Sequence, residues 1–321
     1  MATKADLRSF FYSSVLLVVL FFAADQAVGY FLEDLILKQK KGEYHEMNYA
    51  MNNVDEELLI FGSSRAVRHY DPDVIEDSLR MSAFNVGKLG NTLLYSDAVF
   101  TRILSYHKPK VVILDISPIE FAKTERERGQ KSMVNALLKF DHLPEIENKI
   151  EALSPKDLIL SKLFRTYKFN SALYTLLKND EGKSNLEESK GFAARKGVKV
   201  SEHLVVENNK DYQEDPVLVN TFYNFLKKAK ERKIEVHVVI SPTTLKQVNT
   251  SVAKIKAITH QFGYNFVDVS LRPEFRAVSL YYDKTHLNEF GAKKFSELIG
   301  KTLVSRKTTS GTSTQIASHF D

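Results

Sequence analysis

Two short segments of this chain carry residue types that together could break and re-form an ester. One is Leu58-Leu59-Ile60-Phe61-Gly62-Ser63-Ser64-Arg65, an apolar run that ends in a glycine and two serines. The other lies far downstream, at Asp283-Lys284-Thr285-His286-Leu287-Asn288. A serine hydroxyl attacks an acyl carbon only if a base takes its proton. Imidazole suits that task because it titrates near neutral pH, and a carboxylate beside it orients the ring and stabilises the imidazolium. The first segment can supply the nucleophile, and the second both of its partners.

Those residues must be positioned by a scaffold, and the pattern around them predicts one. Glu57 to Phe61 reads as a buried strand that breaks into a turn at Gly62, the kind of strand end where open α/β folds place reactive side chains. Asp71-Pro72 begins a helix running to about Arg80, with Asp71 as N-cap and Pro72 at the first helical position. Ser82 to Val86 is a short strand, Gly87 to Asn91 a glycine-punctuated turn, and Thr92 to His107 a helix. Lys110 to Pro118 is β-branched, apolar and stopped by proline, which predicts a central parallel strand.

Residues 119–215 become helical and charged, and are expected to form an insertion, with an exposed excursion at Asn179 to Lys199. The core resumes with a helix at Pro216 to Arg232, a strand at Glu235 to Ile240, a helix at Thr244 to Phe262, a strand at Asn265 to Val269 and a last helix from Asn288. Alternation of this kind predicts an α/β fold, a parallel sheet between helical layers. Residues 305–321 are Ser/Thr-rich, and the composition predicts a disordered tail.

Ser9 to Ala24 carries no charge, follows Lys4 and Arg8, and continues past Asp25 into the apolar Ala27 to Leu32. Residues 1–32 are therefore expected to anchor the chain in a membrane, with 33–54 a juxtamembrane stalk and 55–304 the main domain. A cleaved signal peptide with Ala27-Val28-Gly29 as its small-x-small site is the alternative reading. The positive flank favours a cytoplasmic N-terminus and an extracytoplasmic domain.

Composition removes several classes of chemistry. The 321 residues include no cysteine, so disulfides, thiolate catalysis and cysteine-ligated metal are excluded. His69, His142, His203, His237 and His260 stand at no metal-ligand spacing, and no metal or cofactor is expected. The net charge of +5 is modest, and the basic cluster Lys227, Lys228, Lys230, Arg232 and Lys233 reads as a solvated helix face. With no nucleic-acid module beside it, no nucleic-acid partner is expected.

Four separated blocks resemble the SGNH or GDSL-type hydrolases over roughly residues 57–303. Phe61-Gly62-Ser63-Ser64 is similar to the family's Gly-Asp-Ser, with serine in place of aspartate. Asn85-Val86-Gly87-Lys88-Leu89-Gly90-Asn91-Thr92 is similar to Asn-x-Gly-x-x-Gly-x-Thr, and Asp283-Lys284-Thr285-His286-Leu287-Asn288-Glu289-Phe290-Gly291 to Asp-x-x-His-x-Asn-x-x-Gly. The third block departs from the pattern, because Leu114-Asp115-Ile116-Ser117-Pro118 lacks the family's asparagine.

The resemblance implies a flavodoxin-like three-layer α/β/α sandwich and a triad of Ser64, His286 and Asp283. It also implies an oxyanion hole using the N–H groups of Ser64 and Gly90. A turn needing positive φ is the other reading of Gly90, and a helix N-cap accounts locally for Asn288. Arg65, Asn91 and Ser117 are the candidate substrate-binding residues, and Arg68 could also meet an anionic group.

An anchor beside such a domain resembles the D-alanyl-lipoteichoic-acid biosynthesis proteins. That implies acyl esters of an acylated polysaccharide of the cell envelope as substrate, and a membrane acyl-transfer partner. The rival functions are a non-catalytic binding or assembly module on the same fold and, less well matched to the N-terminus, an intracellular phosphate-binding domain.

Overall fold

Four consecutive apolar side chains can be covered only if a strand has helices on both faces, and the strand at Leu58–Phe61 is buried at all four positions. In the computed structural model, which describes residues 3–170, 188–199 and 205–316, the chain divides into two compact units. One comprises Met1–His45 with Val134–Ser184, the other Glu46–Met133 with Asn185–Asp321.

In chain order the helices and strands begin with α1 (Lys4–Leu37), α2 (Glu43–Asn52), β1 (Leu58–Phe61), α3 (Ser64–His69), α4 (Pro72–Leu79), β2 (Ala83–Asn85), α5 (Leu93–Ile103) and β3 (Val111–Asp115). Next come α6 (Lys123–Leu137), α7 (Pro144–Leu153), α8 (Pro155–Leu163), a 3-10 turn at Arg165–Phe169, β4 (Glu188–Ser189), β5 (Phe192–Ala193) and β6 (Val205–Asn208). The last are α9 (Pro216–Glu231), β7 (Glu235–Ile240), β8 (Leu245–Val248), α10 (Val252–Gln261), β9 (Asn265–Asp268) and α11 (Glu289–Ile316).

The larger unit is built on a parallel sheet in the order β2-β1-β3-β7-β9, as in flavodoxin-like doubly wound folds. Registers such as Ile60↔Ile113 and Ile113↔His237 align the strand ends, so the turns after β1, β3 and β7 emerge at one edge. Alternation sorts the side chains into two layers. Leu58, Ile60 and Ile113 join Ala66, Tyr70, Ile75, Phe295 and Ile299 in one core, under α3, α4 and α11. Phe61 points the other way, into Phe100 of α5 and Phe225 of α9, with ring centroids 5.4 and 5.6 Å distant. The α/β/α layering follows from those two sets of contacts. Lys228 pairs with Asp97 and Lys227 with Glu231, so part of the basic cluster is neutralised on its own helix layer.

In the smaller unit, Ile146, Ile150, Leu158 and Phe169 form a buried set, and α1 buries a single stripe of Asp25, Gly29, Leu32 and Ile36. The first two-thirds of α1 is exposed. Among the described residues α1 is the one helix long and apolar enough to cross a membrane.

Several sequence expectations are corrected. The helix expected from Thr244 begins at Val252, and Leu245–Val248 is instead a strand paired in parallel with β6. Thr243 and Thr244 cause this by tying their hydroxyls to the Lys284 carbonyl, which holds the chain extended as it leaves β7. The excursion expected at Asn179 to Lys199 is exposed at residues 196–199, but Gly191, Phe192 and Ala193 are buried. Phe192 joins the core, and the Lys190 carbonyl accepts the Asn85 N–H at the outer edge of β2. Its first residues, 179–187, lie outside the described residues.

The insertion also holds short strands as well as helices. The stalk expected at 33–54 is helical and packed: Met47, Met51 and Val54 are buried, and the Met51 carbonyl accepts a bond from Arg102. Helix α11 continues past Ser305 to Ile316, where composition predicts no structure, because extending a nucleated helix costs little per residue.

Candidate active site

The turn after β1 is constrained before any chemistry begins. Gly62 has φ +148°, and a Cβ there would stand 2.8 Å from the Asp115 carbonyl oxygen and 2.9 Å from Ala66 Cβ. Only glycine lets β1 turn so close to β3 and start α3 at once. Gly62→Ala is expected to cost about 1–3 kcal/mol of stability from backbone strain, read as a fall in the thermal midpoint.

Ser63 occupies the N-cap position of α3 without a side-chain cap bond, and Ser64 is the first helical residue. Ser64 Oγ lies 2.8 Å from His286 Nε2, and His286 Nδ1 is 2.9 Å from both carboxylate oxygens of Asp283. The hydroxyl donates to Nε2 while Nδ1–H donates to the carboxylate, a continuous chain of proton donors and acceptors. Asp283 Oδ1 also accepts the N–H groups of Thr285 and His286, which closes the turn on itself.

Burial holds His286 below its ordinary pKa, with Asp283 opposing that shift and the cations Arg68 and Arg195 adding to it. Burial pushes Asp283 up, but hydrogen bonds from His286 and Thr285 more than offset this and keep it low. The pair is thus neutral imidazole beside carboxylate at neutral pH, the state a general base requires. A base whose pKa is depressed stays neutral further into acid. The expected kcat/KM profile therefore rises with pH through a midpoint below the ordinary 6.5 of histidine, measurable with a short-chain ester.

The Asp283–Asn288 loop is pinned at several points. Leu287 is fully buried in the core, and its N–H donates to His69 Nε2 at 3.1 Å. That bond makes Nε2 an acceptor, so His69 Nδ1–H donates to Ser241 Oγ at 3.0 Å, at the end of β7. Complete burial drives the His69 pKa well below the ordinary value and keeps the ring neutral. The hydroxyls of Thr243 and Thr244 and the Thr244 N–H all converge on the Lys284 carbonyl. Asn288 Oδ1 accepts the N–H groups of Phe290 and Gly291, capping α11.

Arg65 lines the cleft, yet its Nη2 bonds the Ile116 carbonyl at 2.7 Å and stands 3.2 Å from Asp115 Oδ1. Tyr70 donates to the other Asp115 oxygen at 2.8 Å. In the described contacts Arg65 joins α3 to the end of β3. Arg68 is also buried, and its guanidinium donates to the Ala193 carbonyl.

A cleft of about 420 Å³ opens over the two serines. Its walls include Ser63, Ser64, Asn91, Ser117, Glu120, Arg128, Gln247 and Thr285, so most of its lining groups can hydrogen bond. Asn91 and Ser117 are therefore placed with Ser64. Gly90 has φ +73°, and a Cβ on it would meet no atom within 4 Å, so its glycine answers to backbone conformation rather than to close packing. The Ser117 N–H donates to Glu120 Oε2 at 3.2 Å, and its hydroxyl accepts from the Ile119 N–H.

Two residues have positioning roles that the sequence did not assign: Asn85, matched there only as the asparagine of the second block, and Glu120. Asn85 is buried, with Nδ2 donating to the Ala66 and Tyr70 carbonyls and Oδ1 accepting from Gly87, so it binds the end of α3 to the turn after β2. Its place at the end of a short strand before a glycine was the available signal. Glu120 accepts the Leu93 N–H at 2.8 Å, serving as the cap that Thr92 does not provide for α5. Burial, helped by Glu125, pushes its carboxyl up to about 7. Its bond to Ser117 is local, but the Leu93 N–H that makes it a helix cap lies 27 residues away, so nothing in its own segment marks that role.

The described residues hold no group of three or more potential metal-ligating side chains. No protein-family model matches the chain, and no curated protein matches it significantly. Among solved structures it is similar to a candidate acylhydrolase from Bacteroides fragilis NCTC 9343, at 12% identity and a TM-score of 0.40, over 84% of this chain and 99% of that one.

Proposed function

We propose that this protein is a membrane-anchored serine esterase or O-acyltransferase acting on acyl esters of a cell-envelope glycan. The observation that carries the reading is the Ser64–His286–Asp283 hydrogen-bond chain at the mouth of a polar cleft. Ser64 Oγ attacks the ester carbonyl as its proton passes to His286 Nε2, and Asp283 stabilises the imidazolium. The C–O bond then breaks, the proton goes to the departing alkoxide, and the acyl group remains on Ser64. Water or a sugar hydroxyl gives its proton to His286 as it attacks the acyl carbon, the bond to Ser64 Oγ breaks, and His286 returns the proton to that oxygen.

The N–H groups of Ser64 and Gly90 are the proposed oxyanion donors, and Asn91 lies beside them. Ser64 opens α3, where a helix offers its N–H no internal acceptor. The polar walls suit a polyhydroxylated substrate, and Arg128 and Gln247 join Asn91 and Ser117 as candidate contacts. The anchor is α1, with the larger unit outside the cytoplasm. A membrane protein that supplies the acyl group is the proposed partner.

A binding module is the second reading, favoured by one observation: the Ser117 N–H is engaged by Glu120, and the segment after β3, Ile116-Ser117-Pro118-Ile119-Glu120, carries no asparagine to serve as a third oxyanion donor. The discriminating experiment is labelling of the full chain in detergent with a fluorophosphonate, followed by peptide mapping. Adduct on Ser64 supports the enzyme. A protein that stays unlabelled while retaining binding to envelope glycan would leave the module.

A further inference from the structure

The border between the exposed and the covered part of α1 falls at Asp25. Residues 3–24 are uncovered except for Ser14, which is half-buried, whereas from Asp25 onward one helix face is buried within the smaller unit. The 3-10 turn that follows α8 in a hairpin packs on this face at Asp25 and Gly29. Asp25 Oδ2 accepts the Arg165 N–H at 2.6 Å, Oδ1 accepts the Thr166 N–H at 3.3 Å, and the Thr166 hydroxyl also bonds Asp25. Arg165 pairs with Glu33 two turns further on, and its guanidinium sits 3.5 Å from the Tyr30 ring centroid. The polar contacts all lie on the C-terminal side of the apolar run.

The hairpin also reaches the other way. Phe164 meets Phe21 and Phe22, at centroid distances of 6.4 and 5.9 Å, and both belong to the uncharged run. One turn apart on α8, Ile159 and Leu163 remain 59% and 48% exposed, although Leu158 and Ser161 on the opposite face are buried. Exposed Lys156 and Lys162 flank them, the second of these paired with Glu147 of α7. An apolar stripe edged by lysines suits the junction of acyl chains and headgroups, where lysine stems lie along the apolar surface and their ammonium groups reach phosphates.

We propose that this hairpin is an interfacial foot, with Ile159, Leu163 and Phe164 entering the acyl-chain boundary of the leaflet from which α1 emerges. The occupant of the face is lipid, because the stripe is continuous through Phe164 with the apolar run. The inference rests on α1 being a membrane anchor. Its consequence is that the smaller unit is held at a set depth by two contacts rather than swinging on one helix.

The cysteine-free sequence allows a direct test. Full-length Ile159→Cys, Leu163→Cys, Leu17→Cys and Glu151→Cys are each labelled with an environment-sensitive fluorophore, in vesicles of phosphatidylcholine and phosphatidylglycerol. Acyl-chain spin-labelled lipid and aqueous iodide serve as quenchers. Labels at 159 and 163 should lose about half or more of their emission to the lipid quencher, as at 17, while the label at 151 on α7 responds to iodide. Lipid quenching at 17 but iodide quenching at 159 and 163 would overturn the foot and leave the anchor. A label at 159 and 163 shielded from both quenchers would mean that protein covers the face, also overturning it. No lipid quenching at 17 would remove the anchor and the foot together.

Discussion

Ser64→Ala and His286→Ala are each expected to lower ester turnover by about 10,000-fold or more, while Ser63→Ala stays within about tenfold of the parent. The asymmetry between adjacent serines comes from geometry. Ser64 Oγ is 2.8 Å from the imidazole, and Ser63 stands outside the helix at its N-cap position, contributing a wall of the cleft. The double variant Ser64→Ala/His286→Ala should be no worse than either single one, because each removes the same proton transfer. Asp283→Asn should lose less than Ser64→Ala, since the Thr285 and His286 N–H groups still hold the side-chain oxygen. Steady-state hydrolysis of a short-chain nitrophenyl ester measures all of these. Equal loss in Ser63→Ala and Ser64→Ala, or none in either, would sink the proposed nucleophile.

The second large effect is on stability. Arg65→Ala is expected to destabilise the larger unit by about 3–5 kcal/mol, because it leaves the buried Asp115 carboxylate without its cation. In a unit of this size that corresponds to a fall of roughly 6–20 °C in the thermal midpoint. Tyr70→Phe removes one hydrogen bond to the same carboxylate and should cost less, about 1–3 kcal/mol. The informative variant is Arg65→Met with Asp115→Leu. Removing both charges eliminates the unpaired carboxylate but leaves the Tyr70 hydroxyl without its acceptor, so stability should return part of the way toward the parent. Thermal unfolding of the full chain in detergent checks the series. An Arg65→Ala protein as stable as the parent would show that the pair does not hold α3 to β3.

The strands at Leu58–Phe61, Val111–Asp115 and Glu235–Ile240 were legible from the residues alone because strands covered on both faces must be almost entirely apolar. Asp71 before Pro72 and Asn288 before the last helix were legible because capping is a local bond. Leu245–Val248 was not, since its conformation is set by Thr243 and Thr244 reaching a carbonyl about forty residues away. The burial of Phe192 was hidden for a like reason: its neighbours are mostly polar or small, and the core that takes it comes from other parts of the chain.

The same division runs through the site. Residue type and local spacing settled which chemistry was available: a serine after a strand, an imidazole with a carboxylate three residues before it, no thiol, and an uncharged N-terminal run. The chain carries these wherever it folds. Long-range packing settled that Ser64 rather than Ser63 meets His286, that Arg65 is bonded to the end of β3, that His69, Asn85 and Glu120 support the loops, and that Phe164 lies against α1. Each of those depends on bringing distant segments within a hydrogen bond or a ring contact, and no property of a single segment fixes those distances.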